Sequence, residues 1–199
     1  VAARIADTYP VTLRFHLVGP PAADVDPAPT LRLKYEVKDA AVLAAHWDVE
    51  LPTLREPDPK EIAKATSVLL RARPDREQLA IALELGAALW TNNHKAVVAV
   101  IGKHGNEATG AIAPYLAAAY TKMRAAGCYQ AASFGYGGDV YTGIERVGYL
   151  EDRLIADLGV TPARRALVPR PASARPPEKL AGVGARPAIE GFWSFRSPY

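Results

Sequence analysis

The chain has 199 residues, 49% hydrophobic and 23% charged, with a formal net charge of +3, the balance of a soluble globular protein. No uncharged stretch reaches the roughly 18–20 residues that a membrane helix needs; Ala108–Thr121 has 14 and carries a proline. Its single cysteine, Cys128, excludes an intramolecular disulfide, a CxxC redox pair and a thiolate zinc cluster.

The first residues, Val1 to Thr8, read as the end of a helix. Arg4 and Asp7 interrupt the apolar residues there, so no secretory signal is expected and the location is taken as cytoplasmic. Val11–Val18 alternates apolar and other residues, the pattern of a strand. Gly19-Pro20-Pro21 stops it. Residues 30–47 read as one or two short helices, with Asp39 capping Ala40–Trp47. Asp58-Pro59-Lys60-Glu61 is a clearer helix start: capping aspartate, proline at the first helical position, glutamate at the third. Asp75-Arg76-Glu77-Gln78 repeats that logic, with Leu79, Leu83 and Gly86 forming a face toward Trp90. Asn106–Thr109 opens another long helix running to about Ala125. Pro114 inside it predicts a kink or a late start.

Gly127 ends that helix and the period changes. Gln130–Tyr136 and Asp139–Thr142 flank Gly137-Gly138, the signal for a tight hairpin. Glu145–Leu158 then carries an apolar stripe at Val147, Leu150, Leu154 and Leu158, closed by Gly159. Val160–Pro187 holds six prolines, six basic residues and one acid. It reads as an extended linker. Its +5 leaves −2 for the rest of the chain. A basic proline-rich linker is not the aromatic-laced basic face that nucleic acid selects, so no nucleic acid partner is expected, nor a membrane. The chain closes with Phe192, Trp193 and Phe195 in a strand-like run.

Candidate chemistry is sparse. His16, His46, His94 and His104 lack metal-ligand spacing, so no metal is expected. Cys128 reads as a buried, inert thiol. Trp90, Tyr136, Tyr141 and Tyr149 read as packing residues.

Two motifs carry a resemblance. Asp139-Val-Tyr-Thr-Gly-Ile-Glu-Arg-Val-Gly-Tyr-Leu-Glu151 resembles the hairpin and closing helix of the DsbA-like family that contains 2-hydroxychromene-2-carboxylate isomerases and kappa-class glutathione transferases. Phe195-Arg-Ser-Pro-Tyr199 is similar to the first strand of the same family, where Ser-Pro-Tyr replaces CxxC. The resemblance implies an α/β, thioredoxin-like (DsbA-like) sheet with a large helical insertion, lacking its first strand at the N-terminus. On that plan, residues 1–159 are the first domain of a tandem protein, 160–187 the linker, and 188–199 the first strand of a second domain. The 199 residues would then be a fragment of a longer chain. Strand Phe192–Ser197 could also fill the missing place in the first sheet, from its own chain or by strand exchange in a homodimer.

The resemblance further implies glutathione as co-substrate and a small unsaturated or aromatic molecule as substrate, in an isomerase or transferase. Ser197 is its catalytic candidate, donating a hydrogen bond to the glutathione thiolate at a helix N-terminus. Pro198 and Tyr199 would shape that turn. Ala132 stands where the family has a cis-proline, and Ser133 follows it. A trans loop with a reshaped pocket is expected there, because a cis non-proline bond costs about 3 kcal/mol. Ile144 and Glu145 occupy positions that hold the γ-glutamyl end, with glutamate in place of aspartate. These departures set up a second reading from another class, a non-catalytic scaffold or interaction domain with a degenerate thioredoxin-fold site.

Overall fold

Two apolar clusters organise the chain, and each grows from a different kind of local signal. The computed structural model describes residues 1–21, 26–47 and 50–167. Among these the fold is mixed α/β and mostly helical, with seven α-helices and one two-stranded sheet.

The first cluster is built by α3 (Pro59–Leu69), α4 (Asp75–Trp90) and α5 (His94–His104). Asp58 caps α3 as its sequence predicts: the carboxylate accepts the Lys60 N–H at 2.7 Å, with Pro59 at the first helical position. Ala65, Val68 and Leu69 of α3 pack against Ile81, Leu85 and Ala88 of α4 and Val97 and Val100 of α5. The links between these helices are polar. Gln78 donates its side-chain amide to the Leu69 carbonyl at the end of α3. Arg73 donates to the Val68 and His104 carbonyls, both at 2.8 Å, and so satisfies acceptors that two helix C-termini leave open.

Three expectations change here. Asp75 is the first residue of α4 rather than its cap, which is Pro74. Its carboxylate instead accepts the Phe15 N–H at 2.8 Å. The buried face of α4 is Gln78, Ile81, Leu85 and Ala88, and Leu83 lies on the far side, 61% exposed. Helix α5 has no counterpart in the sequence reading. Its signal was Asn93, whose side chain accepts the Ala96 N–H at 3.1 Å.

Val11–Val18 forms no strand. Its alternation is real, since even-numbered residues from Thr12 to His16 are exposed and the odd ones half-buried. A strand also needs a ladder partner, and among the described residues none lies beside it. The segment instead connects the clusters, with Val11 packed on the second and Leu17 on the first. Residues 30–47 form one helix, α2 (Pro29–His46), with Asp39 inside it rather than capping a second. Pro114 gives a late start, as one of the two sequence outcomes had it. A 3-10 turn at Thr109–Ala111 precedes α6 (Ile112–Ala125), where Pro114 takes the third position. A first-turn residue needs no N–H partner within the helix, so a proline is tolerated there.

The second cluster joins α1 (Ala2–Thr8), a hairpin and α7 (Val147–Leu158). Strands β1 (Ser133–Tyr136) and β2 (Asp139–Thr142) pair antiparallel, with Phe134 opposite Tyr141 and Tyr136 opposite Asp139. The two-residue turn needs positive φ at both positions, which glycine adopts freely; Gly137 is at +59° and Gly138 at +88°. Helix α7 buries Val147, Leu150 and Leu154 and ends at Gly159, as the apolar stripe predicts. Tyr136 and Tyr141 pack on this cluster. Tyr149 does not: it is 61% exposed, with the Arg146 guanidinium 5.7 Å from its ring centre. Beyond Gly159 the proline-rich segment starts by docking. Ala166 and Leu167 are buried in the second cluster, so residues 160–167 pack on α7 instead of extending away from it.

Candidate functional site

The residues at the base of the hairpin come from three short segments. Cys128 follows α6 and is buried and free, in keeping with an inert thiol. The chain then passes through Ala132, an exposed residue with φ of +57°. Its carbonyl accepts the Gly143 N–H at 3.1 Å, which ties the entrance of β1 to the exit of β2. The peptide bonds here are trans.

Ser133 opens β1 opposite Thr142. Its hydroxyl donates to the Gln130 carbonyl at 2.9 Å and lies 2.8 Å from the Thr142 hydroxyl. With the Ser133 proton directed to Gln130, the Thr142 O–H is left to donate to Ser133. Ile144, half-buried, packs into the second cluster. Glu145 is exposed, and its carboxylate folds back over Gly143. Gly143 sits at φ +84°, a backbone conformation that favours glycine.

Ala132, Ser133, Ile144 and Glu145 therefore meet at one end of the hairpin. Ser197, Pro198 and Tyr199 lie outside the described residues, as does the strand expected over 188–199. The first four are brought together by turn chemistry legible in the sequence.

A second constellation escaped the sequence reading. Between the segment leading into α3 and the α4–α5 turn lies a cleft of about 380 Å3. Ala88, Leu89 and Val97 give it apolar walls, and Glu56, Asp58, Glu61, Asn92 and His94 give it polar ones. His94 Nδ1 is 3.0 Å from Glu61 Oε2, while Lys64 Nζ is 2.7 Å from Oε1. The Lys64 hydrogen bond holds the Glu61 carboxyl below the usual range; burial opposes it and His94 assists. Glu61 and His94 stand 33 positions apart in sequence, and only the packing of α3 against α5 reveals the pair. Among the described residues no group of three His, Cys, Asp or Glu side chains could hold a metal ion.

The fully buried titratable side chain of α7 was also missed. Glu151 accepts the Tyr9 hydroxyl at 2.7 Å and the Ala166 N–H at 2.6 Å, both on Oε1, and the Leu167 N–H at 3.4 Å on Oε2. Burial, and then the hydrogen bond to this carboxylate, raise the Tyr9 phenol well above its usual range. No helix among the described residues is long and apolar enough to cross a membrane. Comparisons with protein families, curated proteins and solved structures each find no match for this chain.

Proposed function

We propose that this chain acts as a non-catalytic scaffold or interaction domain built on a DsbA-like plan, with its thioredoxin-type site degenerate. One observation carries the reading: the polar groups at the hairpin base are engaged in holding the hairpin itself. The Ala132 carbonyl serves the Gly143 N–H, and the Ser133 hydroxyl serves Gln130 and Thr142. The Glu145 carboxylate is exposed, with the exposed Arg146 next to it in the chain. An anion there repels a thiolate, whereas it attracts the α-ammonium of a γ-glutamyl group. A cytoplasmic location goes with this reading.

The second reading is a glutathione-dependent isomerase or transferase acting on a small unsaturated or aromatic substrate. The gathering of Ala132, Ser133, Ile144 and Glu145 at one exposed corner favours it. In that case Ser197 supplies the hydrogen bond to the thiolate, with Pro198 and Tyr199 shaping its turn, from the same chain or from a second copy in a homodimer. Calorimetric titration of reduced glutathione into the full chain, with Ser197→Ala beside it, separates the two. The scaffold reading expects no saturable heat from either protein. Binding that weakens tenfold or more in Ser197→Ala overturns it and installs the glutathione reading.

A further inference from the structure

Every polar link between residues 160–167 and the buried face of α7 converges on one side chain. The segment has no regular secondary structure. Ala166 and Leu167 insert their side chains into the second cluster, beside Ile5, Tyr9, Leu150 and Leu154. Their N–H groups both end on the Glu151 carboxylate, whose Oε1 also takes the Tyr9 hydroxyl. Outside the cluster, Arg165 reaches the exposed Asp152 carboxylate and, at 3.5 Å, the Gly148 carbonyl. Exposed ion pairs of that kind add little. Val160 packs on the cluster at the root of the segment, and among the described residues the docking of Pro162–Leu167 rests on two apolar side chains and one carboxylate.

We propose that Pro162–Leu167 is a releasable strap, latched by Glu151, that opens as a unit while the rest of the fold stays formed. The physical ground is the small number of groups that hold it. Segments with few buried contacts open locally at free energies well below that of global unfolding. A buried carboxylate without its donors is strongly disfavoured, so opening must admit water to Glu151 and Tyr9 together. The latch is consequently two-state: both main-chain donors leave, or neither does. Release also lengthens the tether. Freeing Pro162–Leu167 adds six residues of extended chain, about 19 Å at ~3.1 Å per residue. Whatever is joined after Leu167 gains that much reach. The strap is in this sense a length control, with its setting read at one carboxylate.

Hydrogen exchange on the full chain tests the latch, read at the amides of Ala166 and Leu167. In the native protein these amides should exchange at least 100-fold more slowly than in an unstructured peptide. They should still exchange faster than the amides of Leu85 and Val97. Glu151→Gln keeps the shape but sets an amide NH2 or a single oxygen against two N–H donors. It should speed exchange at Ala166 and Leu167 tenfold or more, with α4 and α5 unchanged within twofold. Leu167→Ala, which alters only the strap, should act in the same direction if Glu151→Gln fails to fold. Native amides at 166 and 167 exchanging as in free peptide would overturn the proposal. So would exchange at 166, 167, Leu150 and Leu154 rising together in Leu167→Ala, since the strap would then be no separate unit.

Discussion

The first cluster draws all its buried residues from positions 65–100, whereas the second reaches from Ile5 to Leu167. Three consecutive helices close the first by local signals: an aspartate cap on α3, an asparagine cap on α5 and an arginine across two C-termini. The second needs an N-terminal helix, a hairpin, a closing helix and a strap to find one another. A buried carboxylate provides the polar link among three of them. Local assembly leaves traces in a short window of sequence. Assembly across the chain does not, because each partner looks ordinary alone.

Removing one leucine from each cluster breaks the comparison most severely. Leu85 and Leu154 are both about 1% exposed, and either change to alanine should cost about 3 kcal/mol by lost burial and the cavity left behind. The two losses should differ in reach. Under hydrogen exchange Leu85→Ala should loosen α3, α4 and α5, while Leu154→Ala should loosen α1, the hairpin and residues 160–167. Urea unfolding gives the magnitudes.

Tyr9→Phe sharpens the contrast by acting on the second cluster alone. It removes a hydrogen bond to a carboxylate, about 1.5 kcal/mol. The phenol is raised in the folded state by burial and by Glu151. Its contribution is therefore full below the unfolded value near 10 and is lost as pH rises beyond it. Thermal midpoints followed from pH 8 to 12 should fall more gently for Tyr9→Phe than for the native protein. The same slope in both would show that Tyr9 is not the alkaline group.

Smaller effects are expected in the first cluster. Asp58→Ala removes the cap of α3 and should cost about 1 kcal/mol in urea unfolding. Glu61 is held below the usual carboxylate range by Lys64, with His94 assisting. Its folded value is depressed, so its stabilisation is present above the ordinary range near 4 and disappears as pH falls through the lower folded value. Lys64→Met should reduce that acid sensitivity. An unchanged acid limb would remove the pair from the account.

Much of the helical order was legible because punctuation was local. Asp58-Pro59 fixed the start of α3, Gly137-Gly138 the hairpin, and Val147, Leu150, Leu154 with Gly159 the extent of α7. Alternation in Val11–Val18 misled, because period-2 patterning marks an extended segment whether or not a neighbour pairs with it. The α4 stripe misled for a related reason. Leucines at positions 79 and 83 suit helical spacing, yet the neighbours of α4 face Gln78, Ile81, Leu85 and Ala88. At the hairpin base, Ala132, Ser133, Ile144 and Glu145 converge because the hairpin was readable. Glu61–His94 and Glu151–Tyr9 were not readable, being 33 and 142 positions apart.

The most direct test of the functional reading is an amide chemical-shift map of the full chain with and without reduced glutathione. With the Ser133 hydroxyl engaged and Glu145 presenting an exposed charge, the resonances of Ala132, Ser133, Ile144 and Glu145 should not move. Saturable shifts confined to those four would contradict the scaffold reading and place glutathione at the hairpin base.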